Sequence, residues 1–327
     1  MKRPIKKMSQ AANDNGDKSM SQIEYQPRRK QEKLKIAIIG HGFVGKAVDY
    51  AFSLDTVEKY IVDPLYNTTL ADLAEFQPNV TFICAPTPGR EDGSVDTSIV
   101  DEAVLRIINT TQSFIAIKST ITPDAAERLT RYDSRVVYNP EFLAEANPKM
   151  DFINQQFRVV GVTEQGAGQY LEGIYNNFSL CNPAQMIMMS PVEASLFKYA
   201  VNTFLAMKVT FFNQLKQIAD DYGANYNLLS RVLPADNRMG HSHMKIPGPD
   251  GKSGFGGSCF PKDLNAFIKF VEKETSVDPT LWKEIRKVNN EIRSQYELSD
   301  REIAQNVNYG KTEKELKDQD NGDTVGE

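Results

Sequence analysis

LKIAIIGHGFVGKAVDYAF, residues 34–52, changes period half-way along. A short apolar run, Ile36 to Ile39, stops at Gly40; Gly42 and Gly45 complete G-x-G-x-x-G, and Lys46, Ala47, Val48, Tyr50 and Ala51 then follow helical spacing. This predicts a strand, a tight turn and a helix. In such a unit Gly40 permits the turn, Gly42 lets backbone approach a pyrophosphate, and Gly45 lets the helix pack close to the strand. The oriented N–H groups of the helix N-terminus, opening at Phe43 and Val44, face the phosphates. The next apolar run, KYIVDP, ends on Asp63, at the separation expected of a carboxylate that accepts the two ribose hydroxyls and repels a 2′-phosphate. The expected cofactor is NAD rather than NADP.

Further apolar runs alternate with helical stretches: NVTFICAP at 79–86, SFIAIKST at 113–120 and SRVVYNP at 134–140. That alternation implies an α/β, Rossmann-like, doubly wound parallel sheet, with ligands beyond the carboxyl ends of its strands. Those ends read APTP, with Thr87 one residue after its first Pro, KST, with Thr120 just beyond, and NPEFLAE. Cys84, inside FICAP, reads as a small core residue. Thr120 equally suits a cap for the helical TPDAAERL.

Outward from this unit, the chain has 327 residues, 40% of them hydrophobic, enough for a sizeable core and two domains. Three cysteines, Cys84, Cys181 and Cys259, are an odd number at wide spacing, which argues against a disulfide framework and for a cytoplasmic setting. No metal-ligand spacing is present, and no apolar run is long enough to span a membrane. A net charge of −5 with interspersed signs leaves no basic stripe for nucleic acid. Residues 1–33 and 311–327 are polar and aperiodic and are expected to be disordered; 34–190 form the cofactor domain and 191–310 an all-α domain.

From Pro191 to about Tyr222 the chain runs without Gly or internal Pro, predicting one long helix with Pro191 in its first turn and Gly223 at its end. Its apolar surface exceeds what one small helical domain covers, so a homodimer built on 191–222 is expected. Lys198 and Asn202, four apart, share a face amid apolar neighbours.

A thiol then stands in SGFGGSCFPKDLNAF, residues 253–267. Together with GHGFVG, APTP, KST, NPEFLAE, EASLFKYAVNTFLAMKVTFFNQL and DNRMG, this stretch resembles the UDP-glucose/GDP-mannose dehydrogenase family, from about Lys35 to Arg293. The resemblance implies NAD-dependent four-electron oxidation of the C6 hydroxymethyl of a nucleotide sugar, UDP-glucose to UDP-glucuronate, a step that feeds polysaccharide synthesis. It makes Cys259 the nucleophile, Lys198 and Asn202 the donors to the C6 oxyanion, and Glu145 the acid/base. Thr120 and Asp263 match residues that hold a water. Glu141 matches the cofactor region, as do Phe43, Val44 and Thr87. Lys262 is a phosphate-holding or simply a solvated lysine. Phe142, Leu143, Arg238, Phe255, Gly256 and Gly257 match the substrate site, with the Gly254-x-Gly256-Gly257 run letting backbone approach the sugar nucleotide.

The sequence also departs from the family pattern. A third domain that binds uridine diphosphate is expected to be absent, extra residues enter PGPDGKSGFGG, Ala146 replaces a glycine, and Gln214 stands where an acid is common. CFPKD favours glucose over mannose. Two other readings stay open: a two-electron β-hydroxyacid dehydrogenase, which needs no thiol, and a non-catalytic NAD-binding regulator.

Overall fold

A computed structural model describes residues 33–143 and 147–310. They belong to one compact unit that begins at Lys33. Apart from Lys33, the two segments expected to be disordered lie outside the described residues, as does Glu145.

The first half alternates strands and helices: β1 (Leu34–Ile39), α1 (Phe43–Ala51), β2 (Val57–Val62), α2 (Leu73–Phe76), β3 (Val80–Ile83), α3 (Ser98–Thr110), β4 (Phe114–Ile117), α4 (Pro123–Thr130), β5 (Val136–Tyr138), α5 (Pro148–Ile153), β6 (Phe157–Gly161), α6 (Gln165–Phe178) and β7 (Gln185–Met189). Helices follow: α7 (Pro191–Asp221), α8 (Tyr226–Val232), α9 (Phe260–Glu274), α10 (Thr280–Arg293) and α11 (Asp300–Ile303). The seven strands form one sheet in the order β2-β1-β3-β4-β5-β6-β7. Side chains of β1 alternate between its faces. Ala37 and Ile39 pack with α3 and α4 residues, and Ile36 and Ile38 with residues of α1 and α6. The architecture is Rossmann-like and doubly wound, and the order reverses between β1 and β3, where such sheets open a ligand crevice.

The expectation of a wholly parallel sheet needs one correction: β5 and β6 pair antiparallel. Among its described residues, the connection from Asn139 to Gln156 carries one short helix, the six-residue α5, which packs on α1, and the chain re-enters the sheet from the end opposite to that of the parallel strands. Asn139 pins this reversal. Its Nδ2 donates to the Val159 carbonyl of β6 at 2.7 Å, while its Oδ1 accepts from Lys118 Nζ and Tyr175 OH.

Helix α7 has 31 residues, about 46 Å at the usual rise. Ser190 Oγ accepts from Glu193 N–H, and the Glu193 carboxylate accepts from Ser190 N–H, a reciprocal cap ahead of Pro191. Gly223, with φ of +68°, follows its last turn. One face, with Ser195, Lys198, Asn202, Ala206 and Asn213, is buried. The opposite face leaves Phe204, Phe211, Ile218 and Tyr222 exposed, the first three at seven-residue intervals.

Candidate active site

The crevice begins at the glycine turn. Gly40 has φ of +84°, and a Cβ there would stand 2.7 Å from the Cys84 carbonyl oxygen, at the β1/β3 switch point. A Cβ on Gly45 would lie 2.0 Å from the Gly40 oxygen, so α1 closes on the strand only through a glycine. Gly42 differs: no heavy atom lies within 4 Å of its Cβ position, and the α1 N-terminus has no side-chain cap. An open cradle under uncapped N–H groups is where a pyrophosphate fits. At the end of β2, Asp63 accepts from His41 N–H at 2.6 Å and Leu65 N–H at 2.9 Å, which fixes its carboxylate beside the turn. Two of its four acceptor positions are used in this way. The residues therefore fit a dinucleotide, with Phe43 and Val44 opening α1 as expected.

From the β3 end a chain of polar contacts crosses to the helical half. Thr87 Oγ1 donates to the Thr120 carbonyl at 3.0 Å, and Lys262 Nζ lies 3.5 Å from Thr87 Oγ1 and 2.7 Å from Asp263 Oδ1. Asp263 Oδ2 accepts from Asn202 Nδ2 at 2.6 Å. Lys198 Nζ donates to the Glu141 carbonyl at 2.6 Å and reaches its Oε1 at 3.1 Å, while Glu141 Oε2 accepts from Leu143 N–H. Lys198, Asn202, Glu141, Lys262, Asp263 and Thr87 are all buried. Lys262 is thus no solvated lysine. Glu141, expected at the cofactor, is here the ion-pair partner of Lys198. Among the described residues, these contacts use two of the three Lys198 N–H bonds and one of the two on Asn202 Nδ2, leaving donor capacity for an oxyanion.

Cys259 sits at the start of α9, its carbonyl accepting from Asp263 N–H at 2.8 Å. Burial, then the carboxylates of Asp263 and Glu141, push its thiol up, against the opposing pull of Lys198 and Lys262. Burial pulls Lys198 down, but Glu141, Asp263 and Cys259 outweigh it and hold the ammonium above its ordinary value. Cys84, just past β3, packs on the core, where burial pushes its thiol up to about 12. That fits its reading as a core residue.

The glycine-rich run is used differently from the expectation. A Cβ on Gly256 would lie 2.1 Å from Arg293 Nη2, and one on Gly254 2.8 Å from Asn289 Oδ1. These glycines make room for the protein's own α10 side chains. Gly257 N–H donates to Glu302 Oε1, the buried partner of Arg293, and Phe255 exchanges two backbone bonds with the Asn289 amide. The extra residues before the run supply Asp250, which accepts from Arg293 Nη1 at 2.7 Å. None of these supports is visible locally, although Ser299 and Glu302 have the spacing of a capping box and the structure forms it. Phe142 packs under the Lys198 ammonium, 5.3 Å from ring centre to Nζ. Arg238 lies apart from the cluster, on an exposed turn paired with Asp236.

Two family models match the chain. The model described as UDP-glucose/GDP-mannose dehydrogenase family, NAD binding domain, matches residues 54–179, and that of the family's central domain matches 192–291. The chain belongs to the UDP-glucose/GDP-mannose dehydrogenase family. Its NAD-binding part defines NAD as the cofactor of the crevice. The UDP-glucose 6-dehydrogenase of Rickettsia bellii is 34% identical over 219 residues, covering 64% of this chain and 49% of that protein. The chain thus spans about half the length of the curated relatives it matches first. A UDP-glucose dehydrogenase structure from Pyrobaculum islandicum aligns with a TM-score of 0.67 at 27% identity, covering 81% of this chain and 70% of that one. A Mycobacterium tuberculosis 3-hydroxyisobutyrate dehydrogenase aligns with a TM-score of 0.62 at 15% identity over 85% of this chain and 97% of that one. That likeness is one of fold. Among the described residues no helix is long and apolar enough to cross a membrane.

Proposed function

We propose that the protein oxidises the C6 hydroxymethyl of UDP-glucose, or a near relative, to the carboxylate. Residues 34–190 act as cofactor domain and 191–310 as the domain that brings the nucleophile. The observation that carries this reading is the convergence of Cys259 with a buried ammonium, amide and carboxylate, Lys198, Asn202 and Asp263, at the mouth of a dinucleotide crevice.

NAD⁺ held by the Gly40–Gly45 turn and Asp63 supplies a two-electron hydride acceptor. A primary alcohol must lose four electrons to become a carboxylate, so two rounds are needed with an aldehyde between them. Cys259 keeps that aldehyde from escaping: its sulfur adds to the carbonyl carbon, the thiol proton passes to a base, and the carbonyl oxygen becomes an alkoxide. Lys198 and Asn202 donate their remaining N–H bonds to that oxygen in both rounds, a preorganised stabilisation of developing negative charge. Loss of the second hydride leaves a thioester on Cys259, and a water, oriented by Asp263 and Thr120 with Glu145 as acid/base, cleaves its C–S bond. Lys262 pairs with Asp263 and fixes its orientation for this work. Arg293, Asn289 and Glu302 hold the 254–257 backbone in place just before Cys259.

We also propose a homodimer across the exposed Phe204, Phe211 and Ile218 face of α7. A cytoplasmic setting is supported by three free cysteines.

With purified protein, NAD⁺ and limiting UDP-glucose, NADH accumulates to about twice the substrate consumed, because covalent capture couples the two oxidations. Cys259→Ala abolishes this while NAD⁺ binding survives. One NADH per substrate, undiminished in Cys259→Ala, would instead mark a two-electron dehydrogenase. Normal NAD⁺ binding with no turnover of any sugar nucleotide would mark a regulator.

A further inference from the structure

The segment after α10 returns across the crevice. It is fixed at three points. Glu302 is buried against Arg293 Nη2 at 2.9 Å and accepts from Gly257 N–H at 3.1 Å. Gln305 and Asn306 bond both backbone groups of Gly89, at 3.2 and 2.8 Å, on the loop that follows β3. Val307 and Tyr309 are buried. Between these anchors α11 presents Arg301, whose guanidinium carbon stands 5.3 Å from the centre of the Phe43 ring and whose Nη2 reaches Ser258 Oγ at 3.4 Å. Phe43 is the first residue of α1, directly after the open Gly42 cradle, and Ser258 precedes the Cys259 nucleophile. An exposed arginine is therefore held over the mouth of the crevice between the two loops that carry its chemistry.

We infer that Arg301 is a diphosphate ligand. It closes the open side of the Gly42 cradle, so that a bound diphosphate is held by the α1 N–H groups from below and by a guanidinium from above. A guanidinium matches phosphate oxygens with a planar fork, and the Phe43 ring orients that fork by stacking. A diphosphate occurs both in the dinucleotide and in a sugar nucleotide. Contact with Phe43, on the same turn as the uncapped N–H groups, assigns Arg301 to the dinucleotide. The inference rests on the reading of the glycine turn as the cofactor site.

The test is binding rather than turnover, by NADH fluorescence titration and by calorimetry with UDP-glucose. Wild-type protein binds NADH, and Arg301→Ala binds it about tenfold more weakly, the cost of one charge-assisted hydrogen bond. Adenosine, which has no phosphate, competes equally well against NADH on both proteins, and UDP-glucose affinity is unchanged. Arg301→Lys recovers part of the loss, and added salt narrows the difference between wild type and Arg301→Ala. Unchanged NADH affinity in Arg301→Ala overturns the proposal, and so does a parallel loss for adenosine with a lowered melting temperature. Weakening confined to UDP-glucose overturns the assignment to the dinucleotide. Failure of the wild type itself to bind NADH removes the cofactor reading, a result distinct from all of these.

Discussion

Asn202 on α7 and Asp263 on α9 are bonded side chain to side chain, Nδ2 to Oδ2 at 2.6 Å, in a buried contact. The bond ties the helix that carries Lys198 and Asn202 to the helix that begins at Cys259. It also keeps a carboxylate beside Cys259, so the same residue that orders the site holds the thiol protonated.

The reactivity of Cys259 follows from that balance. Because burial, Asp263 and Glu141 raise its pKa, alkylation by iodoacetamide is slow near neutrality and continues to accelerate above the ordinary thiol range of about 8.5. Asp263→Asn removes one of the raising charges and speeds alkylation at pH 8. Lys198→Met removes a lowering charge and slows it. Mass-spectrometric rates of Cys259 modification against pH check both signs, and a reversed order contradicts the electrostatic account.

Cofactor choice is assigned to Asp63. Placing a 2′-phosphate against this carboxylate costs several kcal/mol, so the wild type strongly prefers NAD⁺ over NADP⁺. Asp63→Ser narrows the ratio of the two kcat/KM values by at least about tenfold. Equal turnover of both cofactors by the wild type refutes the assignment.

The Arg293–Glu302 pair is expected to dominate the stability of the last described segment. Burial disfavours charge on Glu302, but hydrogen bonds from Ser299, Tyr309 and Gly257 outweigh it and hold the carboxyl down to about 2. Its folded value is thus depressed, so its contribution is complete above the ordinary carboxyl value of about 4.3 and is lost as pH falls toward 2. Glu302→Ala removes the buried one of the two carboxylates on Arg293, leaving the half-exposed Asp250, and costs about 2–3 kcal/mol. Denaturant titrations at pH 7 and pH 3 measure both effects, the variant lacking this part of the wild-type acid dependence. Gly256→Ala drives a methyl into the same guanidinium and loosens the loop before Cys259 as well.

The proposed dimer rests on the apolar face of α7. If exposed Phe204 and Phe211 form the interface, light scattering at micromolar concentration gives a dimer for the wild type and a monomer for Phe204→Glu with Phe211→Glu, which puts two like charges on each side. A wild-type monomer under those conditions removes the interface.

What was legible in the sequence was what is encoded locally. The Gly40 turn announces itself by a run of β-branched residues meeting glycines, and α7 by its caps and unbroken span. Lys198 and Asn202 were placed on one face by spacing alone. The reversal at β6 was not legible, because a period of two marks a strand without giving its direction. Nor were the partners: Asn202 and Asp263 are separated by 61 residues and Lys198 and Glu141 by 57. Most plainly, Gly254 and Gly256 signalled backbone that tolerates no side chain, while the occupant of the space, Arg293, lay beyond any local pattern. A glycine reports a close approach without identifying what approaches.

The length of α7 makes it a ruler. Ser195 Oγ donates to the Ile121 carbonyl near one end, Lys198 and Asn202 bond Glu141 and Asp263, and Asn213 Oδ1 accepts from Gly254 N–H at 2.9 Å further along. From Lys198 to Asn213 is 15 residues, about 22 Å of unbroken helix. Inserting or deleting one residue between Thr203 and Phe212 would turn every later side chain by about 100° relative to the earlier ones, swinging Asn213 off the glycine loop and Ile218 out of line with Phe204 on the outer face. Here no surface loop absorbs a length change, so this span tolerates substitution but not insertion or deletion.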